Sequence, residues 1–414
     1  EVGNLLAKAM KYLLFVIWLV FTCKSFSKDW PRFGGIKGDF TSGESGLKKD
    51  WKAADPDELW KLDVGLGFSS VIESNGLAYT KGYSDGKILL FCVGAANGKV
   101  IWKKQFPCSK GDNYFKGGSR STPVVYHKKL YTITHDGDFY CIDALKGTII
   151  WGVNLVDDLG GMRPSWGYAG SPTIVGQNVI LAVGAKESAL VAFNKDNGNV
   201  VWKSGNYEAS YSTPCRLQGT EEIAVFHGSG LSIHGLSDGT VKRFYQHKTR
   251  YGINASQPIQ IGKKLLVSSA YGKGSALVDF SKTKPRIEWK TEKIASQMAS
   301  SVYKDGYVYG IHGQAGTRSK FSTLFCLDIN KGKVSWEKKG FGLGTLILVE
   351  DTLVLLSENG ELVLVDAIPE KFQELANFQV LSGKDNWAPP TYSNGRLHCR
   401  SSDGEWKCLA MGST

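Results

Sequence analysis

Six side chains recur at or near one position along this chain: Arg120, Tyr168, Tyr211, Asn254, Gln297 and Trp387. That position lies just ahead of a small-residue step often followed by proline, as in Ser121-Thr122-Pro123, Gly170-Ser171-Pro172, Ser212-Thr213-Pro214 and Ser256-Gln257-Pro258. The segment Gly160-Gly161-Met162-Arg163-Pro164-Ser165-Trp166-Gly167-Tyr168 leads into one such step and adds Arg163 and Trp166. Aromatic walls with convergent amides and one or two guanidinium groups suit a sugar, a peptide or a flat cofactor. The competing reading is structural: Trp166 and Tyr168 plug an opening.

Other chemistry is sparse. There is no His-Glu-x-x-His and no complete phosphate-binding loop. Gly272-Lys273-Gly274-Ser275 has the wrong leading glycine spacing and reads as a hairpin turn. His135-Asp136-Gly137-Asp138 suggests a metal site or an acid–base pair, but an Asp-Gly turn between strands explains it. Asp157-Asp158 reads as solvated loop charge. The seven histidines show no ligand spacing. No catalytic residue and no metal site are expected.

What must position the six residues is a repeat. Asn97-Gly98-Lys99-Val100-Ile101-Trp102, Lys146-Gly147-Thr148-Ile149-Ile150-Trp151, Asn197-Gly198-Asn199-Val200-Val201-Trp202 and Lys331-Gly332-Lys333-Val334-Ser335-Trp336 are near copies. Trp60, Tyr245, Trp289 and Phe378 fill the same slot, giving spacings of 42, 49, 51, 43, 44, 47 and 42 residues. Short apolar runs and Gly-rich turns at that period predict an all-β, eight-bladed β-propeller with four-stranded antiparallel blades. The last segment, Trp387 to Ala410, has three strands and no anchor, whereas Leu59-Trp60 has an anchor and no blade. Joining them closes the ring and removes two sheet edges. Residues just before each innermost strand then ring the mouth of the central channel, where the six recurrent side chains fall.

The organisation predicted is a signal peptide at 1–27, an irregular lead-in at 28–56, the propeller at 57–410 and a tail at 411–414. Tyr12 to Thr22 is an apolar run too short to span a bilayer, and Ser25-Phe26-Ser27 supplies small residues for cleavage. The protein is therefore expected to be exported, periplasmic or extracellular. Membrane association is expected only through a lipid anchor at Cys23. The formal charge of +11 falls to about +9 without Lys8, Lys11, Lys24 and Glu1. The lysines scatter over turns, which argues against nucleic acid and leaves a cell-envelope polymer or a protein as partner. Cys92, Cys141, Cys326 and Cys408 share one slot in four blades and so are expected reduced and buried. A monomer is expected.

The repeated Ala/Cys-x-Asp/Asn-x-x-x-Gly-Lys-x-x-Trp pattern, clearest at Cys141–Trp151, Ala192–Trp202 and Cys326–Trp336, resembles the pyrroloquinoline quinone (PQQ) repeat. That repeat builds eight-bladed quinoprotein dehydrogenases and the BamB outer-membrane assembly lipoproteins. The lead-in Trp30 to Gly34, Leu356–Leu362 and Trp387–Pro390 are similar to exported PQQ-like propellers of planctomycetes. A dehydrogenase of this kind implies PQQ in the funnel, Ca²⁺ or a lanthanide on carboxylate and amide oxygens, and an Asp base, often with adjacent cysteines. This chain has no adjacent cysteine pair and no long roofing insertions. The expectation is a BamB-like binding or scaffolding propeller with no cofactor. The alternatives are a quinoprotein-like oxidoreductase with PQQ and Ca²⁺, and a polysaccharide-surface module.

Overall fold

A computed structural model describes residues 29–51, 55–111, 114–316 and 318–412. The segment 1–27 read as a signal peptide, with Cys23, and the last two residues lie outside the described residues. The rest is an eight-bladed β-propeller of four-stranded antiparallel blades. Blade 1 comprises Ile72–Ser74, Leu77–Ser84, Lys87–Gly94 and Val100–Pro107, from the channel outward. Blades 2 to 7 follow at 124–154, 173–204, 215–246, 259–291, 302–339 and 345–379. Blade 8 takes Thr391–Ser393, Arg396–Arg400 and Glu405–Ala410, and its outer strand is Glu58–Asp63. Trp60 faces Cys408 in that pairing. The end of the chain thus closes on its beginning. The closed fold continues past Ala410, because Met411 is fully buried and Gly412 bridges to Leu47.

In every blade the pairing of the third and outer strands slips by one residue. A bulge of this kind bends the strand and re-aims the next side chain. The extra residue is Ile101 in blade 1, and the tryptophan after it, Trp102, turns towards the next blade. Trp60, Trp102, Trp151, Trp202, Trp289 and Trp336 all occupy this slot. Each donates its indole N–H to a backbone carbonyl of the following blade, at 2.7–3.2 Å. Five of the rings lie on the turn glycine of that blade; Trp336 meets Phe372 instead, because the blade 7 turn has no glycine. At Gly98 (φ 67°) and Gly239 (φ 72°) a Cβ would come within 2.6 and 2.5 Å of the indole, so these turns need glycine twice over.

The register corrects two of the eight anchors. In blade 4 the residue after the bulge is Arg243, opposite Ile233, and Tyr245 sits two positions on, opposite Leu231. In blade 7 it is Ala376, opposite Leu364, and Phe378 faces Leu362. Arg243 pairs with Glu222 instead of docking an indole. Phe378 meets Trp51 of the lead-in edge-on, with centroids 5.3 Å apart. Residues two apart on a strand share a face, so spacing alone could not separate the true slot from its neighbour.

The small-residue steps form a belt around the channel. Ser70 N–H donates to Thr122 Oγ1 (3.1 Å), Thr122 N–H to Ser171 Oγ (3.0 Å), and Ser171 N–H to Thr213 Oγ1 (2.9 Å). Gln257 continues it, donating its side chain to Thr213 O and its N–H to Ser300 Oγ. Thr345 and Thr391 close on Ala388 O and Val71 O. Each hydroxyl satisfies a backbone group buried in the channel wall.

The seven described cysteines are free, and all but Cys215 are buried. Cys92, Cys141, Cys326 and Cys408 have no exposed surface.

Candidate functional site

In these antiparallel blades, the segment entering each innermost strand and the turn between the second and third strands lie at one end of the ring. The lead-in crosses the other end. Trp30 bridges Glu73 of blade 1, Pro31 O accepts from Val125 of blade 2, Phe40 O accepts from Leu348 of blade 7, and Leu47 reaches Gly412. Phe33 and Phe40, edge to face at 4.9 Å, project beneath the channel and line its cavity. The irregular lead-in is therefore the floor of a funnel open at one end.

That funnel encloses about 140 Å³. Its upper wall is aromatic. Phe68 and Trp387 stack at 5.2 Å, Phe115 stands edge-on to Trp387 at 5.1 Å, and Trp166 meets Tyr211 at 5.6 Å. The guanidinium of Arg120 lies 5.0 Å from the Phe68 ring centre, a cation–π contact. Burial lowers its pKa to about 10, and burial raises that of Tyr211 to about 12. The Trp387 indole N–H is buried with no hydrogen-bond partner among the described residues. Deeper in the wall come Gln297, Thr122, Ser171, Thr213, Ser300 and Thr345.

Two further cations are buried behind this wall. Lys81 donates to Ser121 Oγ (2.7 Å) and Ile133 O (2.6 Å). Arg400 donates to the carbonyls of Gly65, Ser69 and Lys81. These acceptors are all neutral. Burial lowers the Lys81 pKa to about 7 and that of Arg400 to about 9. Arg120 and Arg400, whose pKa values stay above neutrality, place positive charge at and behind the mouth.

Of the eight residues chosen from sequence, Arg120, Trp166, Tyr211, Gln297 and Trp387 line the cavity. Three do not. Tyr168 is buried between blades 2 and 3, donating its hydroxyl to Val183 O (2.9 Å). Asn254 is fully buried and holds His227 O and His247 O while accepting from Ser269. Arg163 turns outward to Asp136 (3.1 Å). The alignment found the right segments, but these residues lie in irregular backbone ahead of the strands, where spacing does not fix which side chain faces the channel. Phe33, Phe40 and Phe115 were missed because they precede or interrupt the repeat; Phe68 holds the Arg120 slot of blade 1, ahead of Ser69-Ser70, and was missed because Val71 replaces the proline that marks the step.

A quinone cofactor with its metal would call for oxygen ligands in this lining. Ca²⁺ takes six to eight oxygens with carboxylates among them. No Asp or Glu is among the residues lining this cavity.

A larger space of about 730 Å³ opens at the opposite end, between Lys37–Thr41 of the lead-in and blades 4 to 6. Of its charged groups, Arg243 pairs with Glu222 inside the space and Lys264 with Glu288 outside its lining.

At the rim of the mouth, the His135-Asp136-Gly137 turn predicted from sequence is present. It also brings His135 and Asp136 against Cys108, a residue 27 positions earlier that spacing could not connect. Ser109 completes the group, 3.0 Å from His135 Nε2 and 2.8 Å from Asp136 Oδ1. Burial lowers the His135 pKa to about 4.

Comparison with known proteins gives one family match, described as outer membrane protein assembly factor BamB, over residues 51–151 and 84–338. The BamB of Kangiella koreensis is 23% identical over 213 residues, 50% of this chain and 49% of that protein. The dehydrogenase subunit of a quinone alcohol dehydrogenase from Komagataeibacter europaeus is 30% identical over 125 residues, 28% of this chain and 17% of that protein. The chain thus spans less than two thirds of either relative. Among solved structures, the quinohemoprotein alcohol dehydrogenase of Comamonas testosteroni superposes with a TM-score of 0.71 at 12% identity. That superposition covers 94% of this chain and 81% of the other, and shows a shared fold.

Proposed function

Since the chain belongs to the family of the outer membrane protein assembly factor BamB, we propose that it is an exported, non-catalytic binding propeller. Its channel mouth holds an extended segment of a partner protein or cell-envelope polymer. One observation carries this reading: the mouth is an aromatic, cationic funnel lined by no carboxylate, with its far end floored by Phe33 and Phe40. Rings of Phe68, Phe115, Trp166 and Trp387 offer stacking area, and Arg120 with the Trp387 N–H offers donors. Nothing in that lining would hold a metal or take a proton from a substrate alcohol. Export rests on the apolar run Tyr12–Thr22. Among the described residues no helix is long and apolar enough to cross a membrane.

The second reading is a quinoprotein-like oxidoreductase, favoured by the likeness to quinone alcohol dehydrogenases. PQQ is itself aromatic and anionic, which would suit Arg120, but the metal ligands are lacking from the wall. Surface binding to polysaccharide, which the +11 charge would suit, is the third.

Protein purified from its own host separates these by mass spectrometry and absorbance. The binding reading expects no retained quinone, and no saturable quenching of tryptophan fluorescence on titration with PQQ and Ca²⁺. Tight binding with dye-linked alcohol or sugar oxidation, abolished by Arg120→Ala and Trp387→Ala, would establish the oxidoreductase instead.

A further inference from the structure

Cys108, His135 and Asp136 gather one thiol, one imidazole and one carboxylate whose ligand atoms all lie within 4.8 Å of one another. Cys108 Sγ is 3.5 Å from His135 Nε2 and 3.3 Å from Asp136 Oδ2, and Nε2 is 3.7 Å from Asp136 Oδ1. Zinc binds sulfur at about 2.3 Å and nitrogen or oxygen at about 2.0–2.2 Å, so a tetrahedral site has edges of about 3.4–3.6 Å. The pairwise distances fall near those edges, with Asp136 meeting the two partners through different oxygens and Sγ equally near His135 Nδ1 (3.6 Å), so small side-chain rotations would aim Sγ, one ring nitrogen and one carboxylate oxygen at a common ion. We propose that Cys108, His135 and Asp136 form a Zn²⁺ site with its fourth vertex open to solvent or to Ser109.

The surroundings support the ligand set. Asp136 is oriented by Ser109, whose N–H donates to Oδ2 (2.7 Å), and by Arg163 on Oδ1. Such contacts to a ligating carboxylate fix its direction. Cys108 and His135 are buried, while the Asp136 side chain is 31% exposed and gives the ion an entry path. A mixed sulfur, nitrogen and oxygen set suits zinc better than Ca²⁺ or Mg²⁺, which take oxygen alone. Thiolate and carboxylate together balance the ion's two positive charges, so the loaded site is neutral beside Lys81 and Arg163.

The site's place in the fold gives it a consequence. Cys108 opens the rim segment that carries Phe115 and Arg120, and His135 O accepts from Tyr168 N–H (3.0 Å) in the segment that carries Trp166. A bound ion would clasp blade 1 to blade 2 beside the funnel and hold both segments in place.

The untagged full chain, reduced and metal-free, is titrated with Co²⁺ as a spectroscopic stand-in and then with Zn²⁺. We expect one Co²⁺ per chain, visible tetrahedral absorption and a thiolate-to-cobalt charge-transfer band, all displaced by Zn²⁺. Cys108→Ser should abolish the band. Asp136→Asn, at a partly exposed position that leaves the fold intact by circular dichroism, should weaken Co²⁺ binding by about tenfold or more. Cys215→Ser should change neither. A featureless titration of the folded wild type, or a band that survives Cys108→Ser, overturns the proposal.

Discussion

The carboxylate of Glu73, on the innermost strand of blade 1, lies 2.9 Å from the imidazole of His398 on blade 8, and both side chains are fully buried. Arg396 and Asn394 also donate to Glu73, and Glu73 itself bridges to Trp30 of the lead-in. This network fastens the seam where the ring closes.

Burial works to raise Glu73, but its His398 and Arg396 partners hold it down to about pKa 2; burial works to lower His398, but its contacts with Cys408 and Glu73 raise it to about 9. The stability from His398 is complete below about pH 6.5, its unfolded pKa, and is lost as pH rises through about 9. That from Glu73 is complete above about pH 4.5 and is lost as pH falls through about 2. Lys81, lowered to about 7, contributes the opposite slope over this range, so the His398 contribution is read as a difference: urea titrations should show a stability advantage of wild type over His398→Gln that shrinks between pH 7 and 9. Glu73→Gln should cost about 3–5 kcal/mol at pH 6, by stranding a buried cation. An unchanged midpoint would show the pair to be ornamental.

Blade 4 gives an opposite trend on the acid side. Burial lowers His227 to about 3 and His247 to about 4. The unfolded chain, with histidines near pH 6.5, takes up more protons below that value, so stability falls as pH drops from about 6.5 towards 4. The ring nitrogens of His247 have no hydrogen-bond partner among the described residues. His247→Phe should leave stability at pH 7.5 nearly unchanged and flatten the acid limb, measured by thermal melts across that range.

The docked indoles and the two displaced aromatics should separate by mutation. Trp202→Ala removes a buried ring and its bond to Leu236 O, and should cost about 3–5 kcal/mol. Tyr245→Ala and Phe378→Ala, at partly buried positions outside the slot, should each cost clearly less. Equal losses at all three in denaturant melts would refute the register correction.

Deleting residues 57–62 removes most of the outer strand of blade 8 and should leave an open, aggregation-prone ring, visible as high-mass species in light scattering. A soluble, monodisperse deletion product would contradict closure by this strand.

Thiol labelling of the native protein should reach Cys215 well before Cys92, Cys141, Cys326 and Cys408, which are buried. Peptide mapping without reductant should find those four as thiols. A disulfide at any of them would contradict the structure.

The sequence by itself determined the blade count and the closure. Each blade buries its faces only against its neighbours, so one local pattern, repeated, is enough to specify the ring. Trp102, Trp151 and Trp202 were legible because the glycine turn and the indole recur together. What spacing could not show was any feature depending on a single-residue shift or on distant segments meeting. The bulge that moves the slot to Arg243 and Ala376 is one residue wide and leaves the period almost intact. Tyr168 and Trp166 stand two apart, yet one packs between blades and the other lines the funnel, because the loop between them is not a strand. Phe33 and Phe40 belong to no repeat, and only the path of the lead-in under the channel makes them its floor. Cys108 reaches His135 and Asp136 because antiparallel blades return the end of one outer strand to the turn of the next blade, a neighbourhood that tertiary structure alone creates.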